Sequence, residues 1–287
     1  MAQSVPVEVV VIDDGSTDGT DDLVRGLFPR VRLIRHEESR GYVVRRNEGA
    51  CAASSEVVFS IDDDAAFTSR NTVEQTLREF DDPRIGAVAI PYIEPNKDNR
   101  VWQRAPAAGT WVTDAYVGTA HAVRRGVFLQ VGGYREQLVH QGEERDFCLR
   151  LLGSGRVVRL GTADVIRHYE SPKRDMSRMD YYGRRNDVLF AWHLVPMPFL
   201  ALHLAGTTMN GLRSAWRSQR PVSMIQGVCS GYLGCFREWN ERAPVPVDVY
   251  QLHRRLKAAG ACLLEVIEGQ LPRLAPADWT PSTGNRS

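Results

Sequence analysis

The 287-residue sequence predicts an α/β protein: a mostly parallel sheet with flanking helices, followed by a C-terminal helical region. Three observations carry that expectation. Short β-branched runs alternate with helix-length segments over the first half, the pattern of βαβ units. Residues 7–12 form an almost unbroken run of this kind, as in a strand buried on both faces of a parallel sheet. Beyond about residue 175 the strand signals stop, and long helical stretches broken by prolines take over.

The elements follow in order. After the strand at 7–12, residues 18–28 read as a helix, with Asp residues near its start and Pro29 just past its end. A second strand at 31–35, a helix at 45–53 and a third apolar strand at 57–61 come next, the last running into Asp62-Asp63-Asp64. Asn71 is placed to cap a helix reaching Phe80, ahead of a strand at 85–90. Residues 91–110, rich in Pro, Asn, Gly and Ala, read as a surface loop. An alternating strand at 116–123 leads through 126–131 to a Gly132-Gly133 turn. Residues 143–152 form a helix closed by Gly153, and short strands follow at 157–160 and 164–167. The expected organisation is a sheet domain over 1–175, a helical region over 176–271 and a disordered tail over 272–287, rich in Pro, Ser, Thr and Gly.

Composition narrows the partners. A formal net charge of +1 provides no global field for nucleic acid. The five cysteines are scattered and form no C-x-x-C pair, so neither a zinc knuckle nor a disulfide framework is supported, and a reducing cytoplasm is the plain reading. The opening residues lack the charged and apolar regions of a signal peptide. Residues 195–205 are strongly apolar, but too short and proline-broken for a transmembrane helix. Arg213, Arg217 and Arg220 recur at helical spacing and make one basic face. A helix lying on the inner face of a membrane and a core helix with a solvated arginine face both fit that spacing.

The chemistry gathers in acidic clusters at strand ends. Asp13 and Asp14 end the first strand, and Asp62, Asp63 and Asp64 end the third. In open α/β sheets ligands bind outside the carboxyl ends of the strands, so both clusters are expected to face one crevice. Five carboxylates there would repel one another unless a cation or hydrogen-bond donors offset them, and a hard divalent ion bridging carboxylate and diphosphate does so. Capping of the following helices is the competing reading. An EF-hand is excluded because Arg25 stands at the twelfth position counted from Asp14, and P-loop, zincin, dinucleotide and nucleophile-elbow motifs do not occur.

Residues 9–20 read VVVIDDGSTDGT and resemble the nucleotide-binding signature of family 2 glycosyltransferases. Arg46-Asn47-x-Gly49 and the FSIDDDA of residues 59–65 resemble that family's next motif and its D-x-D metal site. Gly132-Gly133-Tyr134 and Gly142-Glu143-Glu144-Arg145-Asp146-Phe147 resemble its acceptor-side motifs, and residues 165–171, with His168, its later histidine strand. Residues 182–190, containing Arg185-Asn186, are similar to the segment that follows in rhamnosyltransferase-like members.

The resemblance implies a GT-A fold and an inverting, metal-assisted transfer of a sugar from a nucleotide diphosphate to a hydroxyl of a glycan or lipid-linked acceptor, as in cell-surface polysaccharide assembly. Asp13, Asp14, Gly15 and Ser16 would form the nucleotide pocket, with Asp14 on the base and Asp63 near the ribose. Arg46 and Asn47 would lie toward the diphosphate. Asp62, Asp64 and His168 would hold Mg²⁺ or Mn²⁺. Glu144 aligns with the general base, with Glu143 and Asp146 as alternatives; an ordinary acidic helix start is the structural reading of all three.

One departure accompanies the resemblance. Members usually carry a further βα unit ahead of the strand at 7–12, and its strand would lie between that strand and the one at 57–61. Its absence implies unpaired backbone there, an exposed gap that favours a homo-oligomer, or the closing of those two strands together. It also keeps open a second function, a nucleotide-sugar-binding protein without turnover. A nucleotidyltransferase draws no support from Glu143-Glu144 and His168.

Overall fold

The computed structural model describes residues 2–170, 175–218 and 220–276. The chain opens with β1 (Val10–Asp14), α1 (Thr20–Leu27), β2 (Arg32–His36), α2 (Tyr42–Ala52), β3 (Val57–Ser60), β4 (Ala65–Phe67) and α3 (Thr72–Arg78). It continues through β5 (Ile85–Ala89), β6 (Tyr92–Ile93), β7 (Trp111–Thr113), β8 (His121–Arg124), α4 (Arg125–Gln130), α5 (Glu143–Gly153), β9 (Val157–Leu160) and β10 (Ile166–His168). Then come α6 (Met176–Leu194), α7 (Met197–Arg217), α8 (Pro221–Arg237), α9 (Val247–Ala259), β11 (Cys262–Leu263) and α10 (Leu264–Ile267).

The α/β layering matches the expectation, but the strand directions are mixed. The largest sheet has the order β11-β7-β9-β5-β8-β3, and every residue of the central β5 is buried. Within it only β5 and β9 run parallel; β3, β7, β8 and β11 pair antiparallel to their neighbours. β1 and β2 form a separate parallel pair, and β4-β10-β6 a third small sheet. Apolar runs report burial, which parallel and antiparallel central strands share, so direction was not encoded in the pattern.

Local corrections follow the same logic. The strand expected at 116–123 begins only at His121, because residues 116–119 turn into a cleft wall. The segment read as a loop over 91–110 contains the short strand β6 (Tyr92–Ile93) and runs directly into β7. Asn71 sits at the start of α3 but makes no side-chain cap hydrogen bond.

Residues on both sides of 175 share one core. Ile85, Val112 and Leu149 pack with Phe190, Leu194, Tyr250 and Leu252, and β11 extends the main sheet by pairing with β7. Residues 272–276, expected in a disordered tail, are bound: Ala275 N donates to Ser154 O at 2.9 Å, and Arg84 Nη1 donates to Pro272 O at 3.1 Å. Residues 277–287 lie outside the described residues.

α6 is held on α8 by a glycine face. A Cβ on Gly231 would stand 2.7 Å from Val188 Cβ and 2.8 Å from Arg185 O, and one on Gly227 would strike Tyr181 O. Gly231→Ala is therefore expected to destabilise the protein by about 1–3 kcal/mol through overpacking. Urea unfolding should show a lower midpoint with an unchanged slope.

Candidate active site

Strand register builds the first wall. β3 runs into Asp62-Asp63-Asp64, β4 turns back, and β4 pairs antiparallel with β10 so that His168 stands opposite Ala65. Tyr169 N donates to Asp64 O at 2.7 Å and fixes that register. His168 Nε2 consequently lies 3.3 Å from Asp64 Oδ1. One ligand atom each from Asp62, Asp64 and His168 falls within 4.8 Å of the others. Two carboxylate oxygens and an imidazole nitrogen, set among further acidic groups, form a donor set suited to a hard divalent cation such as Mn²⁺ or Mg²⁺.

α5 supplies the opposite wall. Gly142 adopts φ 88°, a left-handed conformation that favours glycine, and turns the chain into a helix whose first turn carries Glu143, Glu144 and Asp146. Glu143 is fully buried, whereas 21% of the Glu144 side chain stays open to the cleft. Burial, and then the Glu143 carboxylate beside it, push the Glu144 carboxyl up to about 8.

Arg46 of α2 joins the two walls. Its Nη2 lies 2.5 Å from Asp62 Oδ1, and its Nη1 lies 3.5 Å from Glu143 Oε1 and 3.8 Å from Glu144 Oε1. Its guanidinium sits over the Tyr42 ring at 4.8 Å. Gly118 presses its backbone against this group; a Cβ there would fall 2.6 Å from Arg46 Nη1 and strike Glu144 Oε1. The open cleft measures about 740 Å³ and is lined by Arg46, Asp62, Asp63, Asp64, Glu144 and His168 together with Tyr42, Gly118, Glu94 and the start of α6. That volume accommodates a ligand of several rings.

The other expected residues do not line this cleft. Asp14 accepts from Ser39 Oγ, Arg40 N, Gly41 N and Arg45 Nε at 2.5–2.9 Å. Burial raises its pKa, but these donors outweigh that and hold the carboxyl well below the usual range. Asp13 accepts from Ser16 N at 2.8 Å and Arg35 Nη1 at 3.1 Å. Gly15 has φ 86°, and a Cβ on it would lie 3.1 Å from Glu37 O. Contrary to the expectation that both acidic clusters face one crevice, Asp13 closes the 13–16 turn through Ser16 N, and Asp14 ties residues 39–45 to the end of β1.

Asn47 also has a holding role, with Nδ2 donating to Tyr134 O and Oδ1 accepting from Tyr134 N, both at 2.8 Å. Asp146 is corrected most plainly. It is fully buried, pairs with Arg135 at 3.1 Å and Arg150 at 2.7 Å, and is not part of the cleft lining. Burial raises its pKa, yet the two guanidinium groups bring it below the ordinary value.

Glu94 is a residue the sequence did not single out. Its Oε1 faces His168 Nδ1 at 3.5 Å, that nitrogen is buried without a hydrogen bond, and Lys97 Nζ holds the other Glu94 oxygen at 3.0 Å. A carboxylate behind a ligating imidazole orients the ring and raises its basicity. Glu94 follows the two-residue β6 in a proline-rich stretch, so no periodic pattern could have flagged it.

A family model described as Glycosyl transferase family 2 matches residues 2–135. The chain is 29% identical over 195 residues to a pre-mycofactocin glycosyltransferase of Mycobacterium tuberculosis, covering 62% of this chain and 41% of that protein. It is 22% identical over 191 residues to the O-antigen chain rhamnosyltransferase WbaN of Salmonella anatum, covering 60% of each. The chain therefore spans less than two thirds of the length of either relative. Among solved structures, S. aureus TarS (1–349) in complex with UDP-GlcNAc superposes with a TM-score of 0.58 at 16% identity, covering 93% of this chain and 78% of that one. The mannosyltransferase PcManGT of Pyrobaculum calidifontis, in complex with GDP-Man and Mn²⁺, gives 0.54 at 21% identity, covering 88% and 72%. At these identities the likeness is one of fold.

Two outcomes test this assignment of roles. Asp146→Ala should cost about 3–5 kcal/mol, because it strands Arg150 as a buried charge, and denaturant melts would report it. Glu94→Gln should leave stability nearly unchanged while weakening Mn²⁺ binding by about 10–100-fold in calorimetry.

Proposed function

We propose, from the match of residues 2–135 to the glycosyl transferase family 2 model and from the shared fold, that the cleft transfers a sugar from a nucleotide diphosphate donor to a hydroxyl acceptor with inversion. The observation that carries this reading is the placement of Glu144 across one cleft from Asp62, Asp64 and His168, with Arg46 between them.

Inversion needs a carboxylate on the face of the sugar opposite the leaving diphosphate. Glu144 is that base: its exposed oxygen takes the acceptor hydroxyl's proton as the hydroxyl oxygen attacks the anomeric carbon. Glu143, buried behind it, raises its basicity. Asp62, Asp64 and His168 would hold Mg²⁺ or Mn²⁺, which when bound supplies charge stabilisation for the departing diphosphate. Arg46 offers a second cation to the same phosphates from the side nearer the acceptor. The nucleoside is assigned to the Asp63 end of the cleft.

The acceptor is a hydroxyl of a glycan or lipid-linked glycan, entering past the start of α6, where Asp175, Arg178 and Met179 line the cleft. With five free cysteines, we place the protein in the reducing cytoplasm at the inner face of the membrane.

Calorimetric titration with UDP, dTDP and GDP, with and without Mn²⁺, tests the donor site. One nucleotide should bind in a metal-dependent manner, and Asp64→Ala should weaken it by at least about tenfold. Failure of a folded sample to bind any of the three would reject the reading. Turnover adds a pH test. The base works ionised, so kcat/KM should rise with pH through a limb near 8, set by the raised Glu144 carboxyl. Glu144→Gln should keep nucleotide affinity and lose about 100-fold or more of the rate; equal rates in the two proteins would remove Glu144 from the role.

A further inference from the structure

α7 and α8 form an antiparallel hairpin built inside out for water. Thr208 and Tyr232 share a hydrogen bond of 2.7 Å, a Cβ on Gly211 would lie 2.9 Å from Val228, and Ser218 Oγ lies 3.6 Å from Met224 Sδ. The faces turned inward carry small residues: Gly227, Gly231 and Gly234 toward α6, and Gly211 and Ala215 within the hairpin. The large apolar residues point outward. On α7, Leu202, Met209, Leu212 and Trp216 follow one stripe at helical spacing, with Leu202 77% and Trp216 90% exposed. On α8, Val222, Ile225, Leu233 and Phe236 repeat the arrangement, with Phe236 75% exposed. Contiguous exposed apolar stripes of this kind mark a surface that is covered in use.

Charge identifies what covers it. From 197 to 237 the sequence contains no Asp or Glu, while Arg213, Arg217, Arg220 and Arg237 all fall in this stretch. Arg213, Arg217 and Arg237 are exposed. Trp216 stands between Arg213 and Arg217, the pairing of ring and guanidinium that suits the headgroup layer. No helix among the described residues is long and apolar enough to cross a membrane, and an apolar face flanked by arginines is the pattern of a helix that lies in an interface rather than spanning it.

Position links this surface to the cleft. Arg220, in the turn of the hairpin, pairs with Asp180 at 2.7 Å, and Tyr181 hydroxyl donates to Ser230 Oγ at 2.8 Å. Asp180 and Tyr181 directly follow Arg178 and Met179, which line the cleft. We propose that the α7–α8 hairpin docks on an anionic lipid surface, its leucine, tryptophan and phenylalanine stripes at the acyl boundary and its arginines on the phosphates, which sets the acceptor side of the cleft beside the bilayer. This deepens the lipid-linked-acceptor reading above, but docking itself depends on the hairpin and needs no turnover.

The test uses the full chain and vesicle co-sedimentation, with neutral phosphatidylcholine and with phosphatidylcholine containing phosphatidylglycerol. Binding is expected to the anionic vesicles, falling about fivefold for each charge removed in Arg213→Gln and Arg217→Gln. The surface variant Trp216→Ser with Phe236→Ser should lose vesicle binding while keeping the wild-type melting profile and nucleotide affinity. Absence of binding to anionic vesicles overturns the proposal, as does a concentration-dependent dimer in solution that the Trp216→Ser, Phe236→Ser variant abolishes, since a second copy would then cover the face. Vesicle binding without nucleotide binding would reject the transferase reading and leave the docking surface standing.

Discussion

Three consecutive residues of α2 hold the cleft together. Arg45 fastens Asp14 and with it the 13–16 turn, Arg46 spans Asp62 and the start of α5, and Asn47 clasps the backbone of Tyr134. A helix turns by about 100° per residue, so neighbours on it address different parts of the fold. Arg46 carries the heaviest demand. Asp62, Glu143 and Glu144 converge on it, and without a cation such a group of carboxylates would have to take up protons or move apart. The approach of Gly118 shows how tightly the pair is enclosed, since no side chain fits there.

That constraint explains how the acidic groups divide. Arg45 and neighbouring backbone amides neutralise Asp14 as a structural element, and Arg135 and Arg150 do the same for Asp146. Turned to the cleft are Asp62, Asp63, Asp64 and Glu94 on one side and Glu144 on the other, with His168 brought in by β10. The overall charge of +1 conceals this layout: an acidic cleft in the sheet half and a hairpin without acidic residues in the helical half.

The parts of this arrangement written in short-range pattern were legible in the sequence. Asp62-Asp63-Asp64 at a strand end, Glu143-Glu144 opening a helix and His168 on a short strand each occupy their expected element. What escaped depends on partners far apart in the chain. β11 pairs with β7 although Cys262 and Val112 are remote in sequence, and neither segment is long enough to show a strand period. Asp13 and Asp14 looked equivalent to the later cluster because a sequence shows a carboxylate but not the donors that occupy it. Among the described residues β1 pairs only with β2, and β3 ends the main sheet, so the two strands that the resemblance suggested as near neighbours stand in different sheets.

Asp62, Asp64 and His168 are proposed to hold the metal of a donor-binding cleft that Arg46 completes. Anomalous diffraction from crystals grown with Mn²⁺ and the nucleoside diphosphate that binds would test it most directly. A single strong peak is expected in coordination contact with Asp64 and His168, with the diphosphate between that peak and the Arg46 guanidinium. A nucleotide seated in the cleft with no peak at those residues, or a peak at Asp13 and Asp14 instead, would contradict it.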